Sequence, residues 1–138
     1  MTQAPELPDI HAPFAPAVNG VASGAAAVLR QDFERHLRRT LAKDRYTATD
    51  RDRYFALALT VRDRLIERWI ATQQTHHRRN VKRIYYLSLE FLIGRLLGNN
   101  VINLKLEETC RDAMAQLGLS WEALRDREVD AGLGNGGL

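Results

Sequence analysis

Leu29, Phe33, Leu37 and Leu41 recur every four residues, so they share one side of a helix and predict a first amphipathic helix over about Gly24 to Leu41. A polar connector, KDRYTAT, follows. Thr49 with Asp52 then reads as a capping box, and Tyr54, Leu57, Val61, Leu65 and Trp69 lay an apolar stripe down a long second helix reaching about His77. At Ile84–Tyr85–Tyr86–Leu87–Ser88–Leu89 the period changes: this run is short, aromatic and apolar on both alternating faces, the pattern of a strand buried from both sides. A single strand leaves its backbone N–H and C=O groups unpaired, so partner strands are expected in another chain or in further sequence. Beyond it, Phe91 to Leu97 is apolar with Gly94 and Gly98, and Asn99 and Asn100 stand as helix caps. A third helix is expected from about Ile102 to Leu117 with Gly118 to end it, and Ser120 caps a short fourth helix from Trp121 to about Arg127. Trp69 and Trp121 lie on or beside apolar stripes and are expected to fill core. The fold expected of this chain is mostly α with one strand.

All four prolines lie at positions 5, 8, 13 and 16, which sets residues 1–22 apart as an irregular Pro/Ala-rich leader and leaves 23–138 as an incomplete domain. The first 29 residues contain no Lys or Arg, so the patterns of a secretory signal and of a transit peptide are both missing. VASGAAAVL is far shorter than the roughly 20 apolar residues that cross a bilayer. A cytoplasmic protein with no membrane partner is the expectation. The single cysteine, Cys110, has no internal partner and is expected to be a buried structural thiol in a reducing compartment. Charge is uneven: residues 30–83 carry 15 basic and 7 acidic side chains, a net +8, while the remainder is net −5. Most of these charges alternate in sign along helices, as in TVRDRLIERW, which is the pattern of a solvated face.

Candidate chemistry gathers at two places. DAGLGNGGL, residues 130–138, has glycines at 132, 134, 136 and 137 and matches G-x-G-x-x-G, a backbone that turns tightly and lies close to a ligand such as phosphate. Neither the preceding strand nor the following helix of that motif accompanies it, so a plain flexible terminus is the competing reading. Glu90 ends the expected strand, where a carboxylate can orient substrate or bind a proton; helix capping or a surface role competes equally. His76, His77, Arg78, Arg79, Lys82 and Arg83 form a basic cluster at the end of the second helix. The helix dipole already explains most of it, with anion binding as the alternative. Adjacent histidines point to different helix faces and no Cys, Asp or Glu stands at ligand spacing, so no metal site is expected.

Three segments, RWIATQQ, KRIYYLSLEFLIGRLLGNNVINL and DAGLGNGGL, taken with RHLRRTLAKDRYTATDRDRYFALALTVRDRLIERW, resemble the N-terminal portion of the glycogen (α-1,4-glucan) phosphorylases. The resemblance covers about residues 24 to 138, in order. It implies a two-domain α/β parent fold of the glycosyltransferase GT-B-like type, of which this chain supplies the opening helices and first strand. It also implies transfer of the terminal glucosyl unit of an α-1,4-glucan to inorganic phosphate, giving glucose 1-phosphate, by a homodimer that uses pyridoxal phosphate. The cofactor lysine of the family belongs to its C-terminal domain. Lys43, Lys82 and Lys105 are not in that lysine's context, so no covalent cofactor is expected on this chain.

By the same resemblance Glu90 faces the active-site crevice, and Gly136, Gly137 and Leu138 present backbone near the substrate and cofactor phosphates, with Gly132, Gly134 and Asn135 shaping the turn. In animal members an AMP site near the subunit interface uses residues corresponding to Asp44, Trp69, Gln73, Gln74 and His77. The last is tyrosine there, and histidine is an imperfect replacement for that stacking platform, which speaks against AMP control. Ser23 stands between alanine and glycine, without the basic flanks of the phosphorylated serine of animal enzymes. Two other readings compete: a free-standing basic helical module that binds nucleic acid or another polyanion through residues 30–83, and a truncated, nonfunctional product. Under the phosphorylase reading no nucleic-acid partner is expected, and the chain alone is inactive.

Overall fold

The computed structural model describes residues 24–90 and 92–132. The first helix, α1 (Gly24–Arg35), buries Ala26, Leu29 and Phe33, and Leu37 continues the stripe in a π-helical turn, His36–Thr40. The four-residue spacing is thus one buried face, as the sequence predicts. The turn is wide because Leu41 N–H donates to His36 C=O and Lys43 N–H to Leu37 C=O, each at 3.0 Å, before Ala42 at φ +54° reverses the chain.

The second helix, α2 (Asp50–Arg79), begins on the expected capping box: Asp52 N–H donates to Thr49 Oγ1 at 3.2 Å, and Thr49 N–H donates to the Asp52 carboxylate at 2.9 Å. It ends where Asn80 takes the left-handed conformation, with Asn80 N–H on His77 C=O and Val81 N–H on His76 C=O. Three short helices follow: α3 (Leu97–Asn103), α4 (Glu107–Gln116) and α5 (Trp121–Arg125), the last capped by Ser120 Oγ on Ala123 N–H. α1 packs on α4 and α2, α2 on α3 and α5, and α4 on α3 and α5. One core results, built from Leu29, Phe33 and Leu37 against Leu57, Val61, Val101, Cys110, Met114, Trp121 and Leu124, among others. Burial pushes the Cys110 thiol up to about 11, the behaviour of the structural thiol that the sequence suggests.

Four expectations are corrected. First, no strand occurs among the described residues. Ile84, Tyr85, Tyr86, Leu87 and Leu89 lie in irregular backbone, with a bend at Leu89, and are 79–94% exposed, not buried from both sides. A strand exists only with a partner to hydrogen-bond, and no described segment supplies one. Second, the helix expected from Ile102 to Leu117 is two helices. Lys105, at φ +58°, ends α3, with its N–H on Ile102 C=O and Leu106 N–H on Val101 C=O. The bend lets Val101 and Leu104 on one side, and Cys110, Ala113 and Met114 on the other, reach the same core. Third, Asn99 and Asn100 lie inside α3 and do not cap it. Fourth, Trp69 is 63% exposed, because α2 buries only Ala56, Leu57, Thr60 and Val61 and runs on past the other helices; Trp121 fills core as expected.

A polar lock joins α1 to α2. Asp63 Oδ2 lies 2.8 Å from Arg35 Nη2 and 2.9 Å from Nε2 of the buried His36, whose Nδ1 lies 3.0 Å from Thr40 Oγ1. Asp32 in turn accepts from Arg64 at 3.0 Å, and Arg64 donates to Thr60 C=O at 2.8 Å. Burial by itself would raise the Asp63 pKa, but the hydrogen bonds and charges of Arg35 and His36 outweigh it and hold the carboxyl below its ordinary 3.8.

Truncation of Phe33, which is fully buried between the helices, is expected to lower the free energy of unfolding by about 3–5 kcal/mol in Phe33→Ala, read from urea titration. Because its pKa is depressed on folding, Asp63 contributes stability that is fully present above its unfolded pKa and is lost as pH falls through the folded one. Asp63→Asn is therefore expected to flatten the fall in urea midpoint below about pH 4, the range of free carboxylates; an acid limb as steep as in the parent chain would remove Asp63 from that role.

Candidate functional site

The far half of α2 carries most of the residues that the sequence marks as a nucleotide site. Trp69, Gln73 and His77 stand four residues apart and so share one helix face, with Gln74 beside it; Gln73 is half-buried and the others are exposed. Asp44 is in a different place. It sits in the connector ahead of α2, and Trp69 stands about 29 Å along the helix axis from Asp50 at 1.5 Å per residue. The Asp44 carboxylate is already engaged by its own loop: Oδ1 accepts from Thr47 N–H at 2.7 Å, Thr47 Oγ1 at 2.8 Å and Tyr46 N–H at 2.9 Å. The Thr47 backbone bond, followed by the hydroxyl bond, lowers its pKa. No hydrogen bond or ion pair among the described residues joins Asp44 to the α2 group.

Where α2 ends, Gln73, His76, Val81, Lys82, Arg83, Ile84 and Tyr85 line an open cleft of about 520 Å³, and a second cleft, of about 440 Å³, lies at the start of α2. Three members of the basic cluster, His76, Lys82 and Arg83, thereby line a concave surface with the Tyr85 ring, whereas His77, Arg78 and Arg79 do not line it. The second cleft is lined by Asp50, Arg51, Tyr54, Phe55, Arg127 and Val129, with Arg127 paired to Asp50 at 2.8 Å. Several of the other arginines are paired with acids of the same stretch: Arg30 with Glu34, Arg35 with Asp63, Arg53 with Asp50 and Arg64 with Asp32, which leaves the net +8 of residues 30–83 unchanged.

Glu90 lies in the exposed extended segment, its N–H donating to Ser88 Oγ at 3.0 Å. Without a strand there is no carboxyl-end crevice around it among the described residues. Gly132 opens the glycine run at φ +60°, with its N–H on Asp130 Oδ1 at 3.0 Å, a turn that only glycine adopts without strain. Gly134, Asn135, Gly136, Gly137 and Leu138 lie outside the described residues. One residue that the sequence reading missed ties these two segments together. Glu128 accepts from Leu96 N–H at 2.8 Å and Leu97 N–H at 2.9 Å through its two carboxylate oxygens, and so caps α3 from 31 residues away. An acidic residue before the glycines was the only signal, and it names no partner.

No group of three or more His, Cys, Asp or Glu suited to a metal ion occurs among the described residues, and no helix there is long and apolar enough to cross a membrane. Lys82 and Lys105 are exposed and Lys43 half-buried. A Schiff-base lysine is activated by desolvation or by a neighbouring cation, and none of the three is enclosed, so these residues do not fit the cofactor.

The described residues form a helical unit with an exposed apolar segment of irregular backbone and with open clefts at both ends of α2. Comparison with known proteins gives its relationship. No family model matches the chain. Glycogen phosphorylase, muscle form, of Ovis aries is 61% identical over 110 residues, 80% of this chain and 13% of that protein. The brain form of Homo sapiens is 57% identical over 122 residues, covering 88% of this chain and 14% of that protein. The human muscle form is 60% identical over 110 residues. The chain belongs to the glycogen phosphorylase family, and it spans 13–14% of the length of these relatives.

The contrast between the two tryptophans is directly measurable. Acrylamide quenching is expected to resolve one accessible and one protected emitter, and Trp69→Phe to delete the accessible one; a single protected population in the parent chain would place Trp69 in a covered position.

Proposed function

We propose that this chain is the N-terminal portion of an α-1,4-glucan phosphorylase, which moves the terminal glucosyl unit of the glucan onto inorganic phosphate and releases glucose 1-phosphate. The observation that carries this reading is 61% identity over 110 residues to a glycogen phosphorylase. The exposed run Ile84–Leu89 supports it: an extended segment this apolar becomes stable when other strands cover both faces, and the two-domain α/β parent fold is where we place them.

Within that enzyme Glu90 faces the crevice, Gly136, Gly137 and Leu138 offer backbone to phosphate, and Gly132, Gly134 and Asn135 shape the loop. Backbone N–H groups suit this task because they bind an anion without bringing a counter-charge. Pyridoxal phosphate, when bound by a lysine elsewhere in the complete enzyme, supplies a phosphate group for proton transfer to the substrate phosphate. The complete enzyme is proposed to be a cytoplasmic homodimer. An effector site on Asp44, Trp69, Gln73, Gln74 and His77 is the weaker part of the assignment, since imidazole offers a base less stacking area than phenol and Asp44 is held by its own loop.

Glucose 1-phosphate formation from glycogen or maltodextrin and phosphate is the test. The complete protein is expected to be active, and residues 1–138 expressed alone inactive. No product from the complete, cofactor-loaded protein would sink the assignment. Binding of the isolated chain to heparin or oligonucleotides that weakens steeply between low and physiological salt would instead favour the polyanion module.

A further inference from the structure

Lys82 to Glu90 is a stretch of backbone without a partner among the described residues. Val81 N–H closes the end of α2 on His76 C=O, and from Lys82 to Leu87 no hydrogen bond joins the chain to another described residue. The next bond is local: Glu90 N–H donates to Ser88 Oγ at 3.0 Å across the bend at Leu89. Every residue of the stretch is exposed, and Ile84, Tyr85, Tyr86, Leu87 and Leu89 hold large apolar side chains in water. Ile84, Tyr85 and Tyr86 favour extended backbone, neither Pro nor Gly interrupts the run, and charge is confined to its ends, with Lys82 and Arg83 before it and Glu90 after it. None of these three charges has an ion-pair partner among the described residues. The two ends are therefore opposite in sign, which decides how two copies of the stretch can meet.

We propose that Lys82–Glu90 is a self-docking edge: in this chain on its own it pairs with the same stretch of a second copy as an antiparallel ribbon, with a two-fold axis at Tyr86. An axis normal to such a ribbon requires one residue to face its own copy. With Tyr86 in that place, Lys82 of each copy faces Glu90 of the other, so both ends of the ribbon close on opposite charges. Ile84 then faces Ser88, Tyr85 faces Leu87, and the methylene stem of Arg83 lies against Leu89. Alternation gathers Tyr85, Leu87 and Leu89 of both copies on one face of the ribbon, where they cover one another. Centring the axis on Leu87 instead sets Glu90 against Ile84 and Lys82 against Leu92. Parallel strands in register set Lys82, Arg83 and Glu90 each beside its own copy, like charge against like. The Glu90 bond to Ser88 is the one local bond that has to open, whereas pairing satisfies a row of backbone groups and takes apolar side chains out of water. The proposal goes beyond the phosphorylase reading and does not depend on it. In the complete enzyme the strands of the parent fold are the proposed occupants of these edges, so self-docking belongs to residues 1–138 alone.

Sedimentation equilibrium of residues 1–138 over a wide range of concentration is the test, with infrared amide bands to report antiparallel pairing. A monomer–dimer equilibrium is expected, with the antiparallel signal growing as dimer forms. Lys82→Glu and Glu90→Lys each turn both end pairs repulsive and are expected to weaken dimerisation about tenfold. Combining them restores opposite charges, and the double variant should return to within about twofold of the parent. Tyr86→Pro removes the N–H at the axis and should leave monomer only. All three side chains are exposed, so helix content by circular dichroism should match the parent in every variant. A chain that stays monomeric, single reversals without effect, a double variant no tighter than the single ones, or association that survives Tyr86→Pro would each overturn the proposal. Failure of the complete protein to form glucose 1-phosphate would leave this equilibrium as it is, and a monomeric chain would leave the enzyme assignment as it is.

Discussion

The rest of the fold depends on the burial of the α1 stripe. Leu29, Phe33 and Leu37 are fully inaccessible, and they occupy the space that α2 and α4 enclose between them. Apolar burial of this kind has no direction, so by itself it would let α1 slide or rotate against its neighbours. The Asp63 lock removes that freedom. A carboxylate that accepts from both Arg35 and His36 has one register in which both bonds form, and Asp32 with Arg64 sets the same register a turn away. The π-helical turn follows from the same place, since His36 and Thr40 sit in it and share a hydrogen bond.

Packing and function divide the chain between them. The first turns of α2, together with α1, α4 and α5, are covered by one another, whereas the later turns of α2 and the segment from Val81 onward leave large apolar side chains in contact with solvent. Large apolar side chains left in solvent at this density suit an interface. Trp69 and Ile70 on α2, and Ile84, Tyr85, Tyr86, Leu87, Leu89, Leu92 and Ile93 after it, are among these side chains, and Gln73, Gln74, His77 and Glu90 lie along the same stretch of sequence.

The glycine run stands beside both local and distant contacts. Its first described turn is local, made by Asp130 on Gly132, whereas four residues earlier Glu128 caps a helix start that lies far away in sequence.

The stripe of α1, the start of α2, the cap of α5 and the end of α4 were legible in the sequence because each rests on interactions within about four residues: the Leu29–Leu41 spacing, the Thr49–Asp52 box, Ser120 and Gly118. The family was legible too, through the order of several long segments. What only the tertiary structure decided are features that need a distant partner. Whether Trp69 is buried depends on how far other helices extend along α2. Whether Ile84–Leu89 is a strand depends on a second strand beside it. The break at Lys105 depends on two helices facing one core, and the cap on α3 depends on Glu128, 31 residues away. A periodic pattern states which side of an element is apolar, but burial and strand pairing are properties of two surfaces, and a single segment of sequence describes only one of them.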